Sequence, residues 1–206
     1  AWDIEQMYTN IPHEDLIHQI KLLCDTAFNN ADHYYIAVSP HSNFARWRPI
    51  SAKVPTKPNQ LYLTKEKIVK YTKWLVENTY FTSEETVYRQ QVGIPMGTSC
   101  APVLANMFCF AFESVFVRKE ENRKRMRKFQ TITRYLDDVI AIGEQSEFQE
   151  ILKEFFPSYL KMKNCAEDPH SFPYLDMRIL IHKTEINTKL HDKRSEFGFD
   201  IVNYPD

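Results

Sequence analysis

Residues 129–142 read Phe-Gln-Thr-Ile-Thr-Arg-Tyr-Leu-Asp-Asp-Val-Ile-Ala-Ile, two arms rich in β-branched and apolar residues that meet at Leu136-Asp137-Asp138. Such arms are typical of strands, so the stretch predicts a β-hairpin with an acidic tip. Two adjacent acids between apolar arms destabilise a fold unless something compensates their charge. A solvated Asp-Asp turn is nevertheless common, so the hairpin alone leaves a structural and a catalytic interpretation open.

A third acid, Asp3, lies in a short apolar stretch, Trp2–Met7, which predicts a strand end. The break at Pro12, followed by Glu14 and Asp15, indicates that a helix begins there. The apolar residues expected on the inner face of that helix are Leu16, Ile20, Leu23 and Ala27.

The rest of the chain predicts an alternation of helices and strands. Residues 29–60 are polar and proline-containing, and a long irregular loop or insertion with room for short strands is expected there. Three further helices are expected: one capped by Thr64 with Ile68, Tyr71 and Leu75 inside, one from Pro102 to about Val117 with Leu104, Phe108, Ala111 and Val115 inside, and one from a Ser146/Gln149 capping box to Phe155. The expected strands are Thr86–Gln90, Leu160–Lys163, Pro173–Ile181 and Ile186–His191. This order predicts an α+β fold with a largely antiparallel sheet.

Composition limits the function classes. The 206 residues carry a net charge of −1, with 43% hydrophobic and 26% charged residues, as in ordinary folded domains. We find neither a signal peptide nor an apolar run approaching the length of a membrane span, so no membrane partner is expected. Four cysteines without zinc spacing favour reduced thiols inside the cell. The basic stretch Arg118–Lys128 fits either a solvated helix end or a phosphate-contacting patch.

Four motifs in order resemble those of reverse transcriptases: Asp3–Tyr8, Gln91–Pro102, Tyr135–Asp138 with its Tyr-x-Asp-Asp pattern, and Phe172–Met177. Three shorter stretches are most similar to Penelope-like retroelement polymerases: Met7–Pro12, Met96-Gly97 and Asp192–Arg194. Many reverse transcriptases carry glutamine where this chain has Met96, and the methionine is a feature of the Penelope-like members.

The resemblance implies a polymerase palm over residues 1–206. We expect an antiparallel sheet of about four strands backed by helices, with part of the fingers between the first two motifs. The N-terminal fingers and the thumb are expected elsewhere in a larger protein. The resemblance further implies two Mg²⁺ ions, with Mn²⁺ as an alternative. Asp3 and Asp137 would bridge them, Asp138 would support one, and the carbonyl of Ile4 would complete a site.

The resemblance also implies how substrates bind. Tyr8 would be a steric gate whose ring excludes a ribose 2′-hydroxyl. Nucleotide and template contacts are expected from Gln91, Pro95, Met96, Gly97 and Tyr135. Either Lys161 or Lys163 could protonate the pyrophosphate, and the sequence does not decide between them.

The expected function is RNA-directed DNA polymerisation for a retroelement, with an RNA template, a DNA primer, deoxynucleotides and further domains of the parent chain as partners. The expected location is intracellular, and nuclear where the protein is retroelement-encoded. Two alternatives stay open: an RNA-dependent RNA polymerase of related fold, and a domesticated, inactive scaffold that binds nucleic acid.

Overall fold

The structure, a computed structural model, describes residues 1–29, 33–39, 44–49, 60–166, 168–183 and 185–191 of the 206-residue chain. Along the chain its elements are β1 (Trp2–Ile4), α1 (Met7–Asn10), α2 (His13–Asn29), β2 (His33–Ser39), β3 (Phe44–Pro49), β4 (Leu61–Leu63), α3 (Lys65–Glu77), β5 (Tyr80–Ser83), β6 (Thr86–Arg89), α4 (Ala101–Arg118), α5 (Glu120–Met126), β7 (Thr131–Tyr135), β8 (Asp138–Ile142), α6 (Gln145–Phe155), β9 (Met162–Asn164), β10 (Ser171–Tyr174), β11 (Met177–His182) and β12 (Glu185–Leu190). The fold is α+β with antiparallel sheets, as the sequence predicts.

The chain forms two units. The first unit contains Ala1–Glu5, Lys124–Glu154 and Lys161–Asp206. The second contains Gln6–Arg123 and Phe155–Leu160.

The first unit is built on a four-stranded antiparallel sheet in the order β7-β8-β1-β9. Successive residues of a strand point to opposite faces, so Trp2 and Ala1 lie on opposite sides of it. Trp2 packs against Phe148 of α6, with ring centroids 4.7 Å apart. On the other face, Ala1 and Ile140 form a core with the three-stranded sheet β10-β11-β12 through Phe172 and Ile179. The central sheet is therefore covered by a helix on one face and by a second sheet on the other.

The second unit is mainly helical. Its helix α2 packs against both α3 and α4, and α1 lies against α4, where the sulfur atoms of Met7 and Cys109 are 3.7 Å apart. Two small sheets complete the unit, one in the order β3-β2-β4 and the hairpin β5-β6. The long loop expected over residues 29–60 thus contains two full strands. Residues 30–32, 40–43 and 50–59 lie outside the described residues, as does the motif at 192–194.

Several local predictions are confirmed and others are wrong. Thr64 caps α3 as expected, since its hydroxyl accepts a hydrogen bond from Lys67 N at 3.3 Å. The capping box at Ser146 is wrong: α6 already begins at Gln145, and the Ser146 hydroxyl donates to Glu144 Oε1 instead. Pro173–Ile181 is not one strand, because Leu175 adopts φ 55° and turns the chain into a hairpin.

The first strand and the helix faces also need correction. The strand predicted over Trp2–Met7 stops at Ile4, because Gln6 adopts a left-handed conformation and α1 begins at Met7. The residues that the helices bury are Leu16, Ile20, Cys24 and Phe28 in α2, and Thr72 and Val76 in α3. Tyr71 and Val115, both expected inside, are 54% and 55% exposed. The periodicity predicted the positions of α2, α3, α4 and α6, but it did not predict α1 or α5, and it misplaced part of the buried faces of α2, α3 and α4.

Helix α4 is long and apolar enough to cross a membrane by length and composition alone, with a mean hydropathy of 1.3. The expectation that no run reaches that length is wrong for this helix. The indication of a membrane is weak, because a core helix of a soluble protein passes the same test. Leu104, Ala105, Phe108 and Cys109 of α4 are buried.

Candidate active site

Two acids lie directly opposite each other on adjacent strands of the central sheet of the first unit. Asp3 of β1 is in register with Asp138 of β8, and directly opposed residues in an antiparallel pair project from the same face. Ile4 N donates a hydrogen bond to Asp137 O at 2.9 Å, which makes Ile4 and Asp137 a hydrogen-bonded pair. Asp3 and Asp138 then form the adjacent non-hydrogen-bonded pair, in which Cα atoms approach to about 4.5 Å. The sheet therefore brings together two acids that lie 135 residues apart in the chain.

Asp137 lies in the two-residue turn between β7 and β8. Tyr135 pairs with Asp138 across this turn, and Leu136 takes a left-handed φ of 54°. The guanidinium of Arg134 donates to the Leu136 carbonyl at 2.9 Å and thereby stabilises the turn. Asp3, Asp137 and Asp138 are all half-buried, whereas Tyr135 is 59% exposed.

The acids repel one another. Burial raises the pKa of Asp3 above its usual value, and the charges of Asp137, Asp138 and Glu5 raise it further. Lys163, in register with Asp3 on β9, acts in the opposite direction without reversing the shift. Burial and the charge of Asp138 also raise the pKa of Tyr174. The charges of Asp137, Asp138 and Glu5 thus each act on Asp3 more strongly than the charge of Lys163 does, which favours a bound cation.

The donor set suits a hard cation, but it is not a closed cage. Carboxylate and carbonyl oxygens are the ligands that Mg²⁺ prefers. Among the described residues, no three His, Cys, Asp or Glu side chains are arranged to hold an ion by themselves. Mg²⁺ is commonly bound through one or two carboxylates together with water and substrate phosphates, so an open pair such as Asp3–Asp138 fits that mode. The side chain of Ile4 is fully buried, and its backbone lies beside Asp137.

Another set of the predicted residues lies in the second unit. Tyr8 is in α1 and half-buried, and its carbonyl accepts a hydrogen bond from Ile94 N at 2.6 Å. Gly93 N donates to Ile11 O at 2.9 Å. The ring of His13 donates from Nε2 to the Gly93 carbonyl at 2.8 Å. Three hydrogen bonds therefore fasten the loop after β6 to the segment that carries Tyr8.

Gly93 is required by this contact. It adopts φ +92°, and a Cβ atom placed on it would lie 2.7 Å from the Tyr8 carbonyl oxygen and 2.9 Å from Thr9 Cα. Gly97 has a similar φ of +91°, but a Cβ there would meet nothing within 4 Å. Glycine at position 93 thus allows the backbone of α1 to pack closely against this loop. The close packing explains the glycine without a bound nucleotide. Pro95 is buried, whereas Gln91, Gly97 and Met96 are exposed, Met96 by 68%.

The fold was compared with known proteins. No family profile matches the chain, and no curated protein matches it in sequence. Among solved structures, it is similar to telomerase from Candida albicans in complex with a fragment of telomeric RNA, with a TM-score of 0.57 and 14% identity over 92% of this chain and 31% of the telomerase. Apo telomerase from Candida tropicalis gives a TM-score of 0.56 and 13% identity over 90% of this chain and 31% of that one. The chain has a reverse-transcriptase-like fold. It spans about one third of these telomerases, and identities this low show the fold alone.

Within this reverse-transcriptase-like fold, the predicted residues fall into two groups. Asp3, Ile4, Tyr135, Asp137 and Asp138 belong to the first unit. The residues of the second unit are Tyr8, Gln91, Pro95, Met96 and Gly97.

Sequence reasoning missed one polar residue of the site and left the choice between two lysines open. His13 was overlooked because its partner Gly93 is 80 residues away in the chain, and no local pattern links them. Lys163 was not separated from Lys161. The register now places Lys163 opposite Asp3, while the carbonyl of Lys161 accepts a hydrogen bond from Glu5 N at 2.9 Å. The distinction between the two lysines depends on which residue of β9 pairs with Asp3 of β1. An alignment of these two strands against each other could have made it.

Proposed function

We propose that this chain is the catalytic segment of an RNA-directed DNA polymerase. The observation that carries the proposal is the cross-strand pair of Asp3 and Asp138, with Asp137 in the adjoining turn, in a fold similar to that of telomerase. Acids separated by more than 130 residues have been brought together at adjacent inner strands of a sheet, and the charges of Asp137 and Asp138 raise the pKa of Asp3. Perturbed carboxylates grouped in this way are typical of functional sites.

The carboxylates of Asp3, Asp137 and Asp138 and the carbonyl of Ile4 would hold two Mg²⁺ ions, or Mn²⁺ in their place. When bound, such ions lower the pKa of the primer hydroxyl and neutralise the leaving pyrophosphate. The protein supplies a rigid platform for the ligands, because β1 is an inner strand of the four-stranded sheet and is hydrogen-bonded on both sides. Lys163, beside Asp3, is the better placed of the two lysines to donate a proton to the departing pyrophosphate.

Sugar selection would fall to Tyr8. In reverse transcriptases an aromatic residue five positions after the first aspartate excludes the 2′-hydroxyl, and Tyr8 stands at that distance from Asp3. The loop that contains Gly93 holds the Tyr8 backbone through the Ile94 hydrogen bond. A gate of this kind discriminates only if its backbone is fixed, since a mobile ring would yield to the larger sugar.

The finer assignment is to a Penelope-like retroelement polymerase, supported by Met7–Pro12 and Met96-Gly97. The proposed partners are an RNA template, a DNA primer, deoxynucleotides and further domains of the parent chain. The proposed location is the nucleus, where a retroelement polymerase meets its target. One telomerase neighbour was solved with RNA, which agrees with a nucleic-acid partner.

The proposal is tested by primer extension with the full-length protein. A DNA primer on an RNA template is offered deoxynucleotides or ribonucleotides, with Mg²⁺ and with a chelator. We expect Mg²⁺-dependent addition of deoxynucleotides. Preference for ribonucleotides would instead support the RNA polymerase alternative. Template binding without extension under any condition would support the inactive scaffold.

A further inference from the structure

The charges between β2 and α3 are all of one sign. From residue 33 to residue 64 the chain contains no Asp or Glu, and its formally charged residues are Arg46, Arg48, Lys53 and Lys57. This gives the stretch a formal charge of +4, in a chain whose net charge is −1. Such segregation produces a local positive field that attracts polyanions, whatever the total charge of the protein.

The two arginines share one face of an edge strand. Alternation along β3 places Phe44, Arg46 and Arg48 on the same side, which we call the β3 face. All six residues of β3 are exposed, and β3 pairs only with β2 among the described strands. The guanidinium of Arg46 lies over the Phe44 ring, 4.4 Å from its centroid.

The opposite side of β3 is anchored. Trp47 packs edge-on against Phe28 of α2, with ring centroids 5.0 Å apart. The strand is therefore fixed to the second unit through Trp47, while the β3 face stays exposed. Phe44 keeps 41% of its surface exposed, so a ligand can reach its ring beside the Arg46 guanidinium.

The basic stretch at Arg118–Lys128 is different. There Arg125 forms two hydrogen bonds with the Glu154 carboxylate, at 2.9 and 3.0 Å, and Lys128 is bonded to Glu147 at 2.9 Å. Its helix also opens with Glu120 and Glu121. None of the ion pairs among the described residues involves Arg46 or Arg48. The more basic sequence thus has part of its charge neutralised, whereas the β3 face keeps its charge for a ligand.

We propose that the β3 face binds single-stranded nucleic acid. Arg46 and Arg48 contact backbone phosphates, and the Phe44 ring stacks on a base. Positive side chains interleaved with an exposed aromatic ring are the combination that single strands require, because a duplex offers no free base face. A duplex would use only the phosphate contacts of Arg46 and Arg48 and would leave the Phe44 ring without a base to stack on. The inference rests on the proposed function only in identifying the strand as the template; the binding itself requires no polymerase activity.

The test measures affinity of the full-length protein for a single-stranded RNA, a single-stranded DNA, the same RNA as the overhang of a primer–template, and a blunt duplex, over a range of salt concentrations. The variant is R46Q/R48Q. The control, R123Q/R127Q, removes the same charge from exposed positions of the Arg118–Lys128 stretch. R46Q/R48Q loses two phosphate contacts, so the slope of log K against log salt concentration for single strands should become less steep by about 1.4. The slope of the control variant should stay unchanged. Affinity for the blunt duplex should change little.

A Phe44→Ala variant separates stacking from charge. It should weaken single-strand binding about fivefold or more while leaving the salt slope unchanged. R46K/R48K, which keeps the charge, should retain the slope and serves as the check should R46Q/R48Q fold poorly. An unchanged slope in R46Q/R48Q, or an equal fall in the R123Q/R127Q control, would overturn the proposal. So would an equal loss of duplex binding. A protein that binds through the β3 face but never extends a primer would refute the proposed function and leave this inference standing.

Discussion

Two hairpins of the first unit carry the same three residues at their tips. Tyr135-Leu136-Asp137 joins β7 to β8, and Tyr174-Leu175-Asp176 joins β10 to β11. In both, the leucine adopts a left-handed conformation, with φ 54° and 55°. The hairpins differ at the next position, where the first has Asp138 and the second has Met177.

The difference lies in what faces each hairpin. Asp138 begins a strand that pairs with β1, directly opposite Asp3. Met177 begins a strand that pairs with β12, opposite Leu190. The turn itself is therefore not the functional feature, since the same turn occurs twice. A hairpin becomes a candidate metal site when its return strand pairs with another strand that carries an acid.

The largest expected effect comes from replacing, one at a time, the aspartate that lies at the tip of each hairpin. Asp137→Asn in the full-length protein should lower kcat for extension by at least about a thousandfold, or roughly 4 kcal/mol in barrier, because an amide is a poor ligand for the ions. Primer–template affinity should stay within about threefold, since phosphate contacts dominate it. Asp176→Asn is the matched control and should extend at close to the normal rate. Equal losses in both variants would mean that the first hairpin is not special.

A second matched pair extends the comparison to the other unit. Gly93→Ala should destabilise the fold by about 2–4 kcal/mol, because a Cβ at φ +92° would strike the Tyr8 carbonyl. Gly97→Ala has the same backbone strain without the clash, so a loss of about 1 kcal/mol is expected. Urea denaturation gives both values. Similar losses in the two variants would show that the contact with α1 is unimportant.

The sugar gate should give a smaller effect. Tyr8→Ala in the full-length protein should raise ribonucleotide use relative to deoxynucleotide use by at least about tenfold, or roughly 1.4 kcal/mol, because it removes a clash with the 2′-hydroxyl. Tyr8→Phe keeps the ring and should leave the ratio unchanged. The measurement is kcat/KM for single-nucleotide extension with each sugar, and an unaltered ratio in Tyr8→Ala would exclude Tyr8 as the gate.

The smallest effect concerns stability and pH. The folded pKa of Asp3 is raised, so the folded chain holds this proton more tightly than the unfolded chain does. The resulting penalty is fully present above the folded pKa and disappears as the pH falls below the ordinary value near 4. Asp3→Asn should therefore raise the Tm at pH 7 without divalent ions, and the gain should shrink toward pH 4. Melting curves at the two pH values would contradict this if the gain grew with acidity.

Much of the fold follows from local pattern. The alternation in residues 131–142 predicts the hairpin, and Thr64 and Pro102 predict the starts of two helices, because these signals depend on neighbours in sequence. The bounds of the strands at 33–39 and 44–49 could not be predicted from the residues alone, since short strands depend on pairing with each other. The same limit hid the turn at Leu175, where a leucine adopts a conformation that usually requires glycine or asparagine.

The candidate site was only partly visible in the sequence. Motif order brought Asp3, Asp137 and Asp138 into one hypothesis, but it did not indicate which acid stands opposite Asp3. That choice is made by register, and a shift of one residue would move Asp138 to the other face. The bond from His13 to Gly93 was invisible for the same reason, because it exists only after α2 and the loop have packed together.

The central claim is that the acids around Asp138 hold divalent ions whereas the second hairpin does not. The most direct test is Mn²⁺ binding to the full-length protein, followed by electron paramagnetic resonance, in the unaltered chain, Asp138→Asn and Asp176→Asn. We predict that Asp138→Asn weakens Mn²⁺ binding by about tenfold or more, while Asp176→Asn binds as the unaltered chain does. Equal affinities in all three proteins would contradict the account.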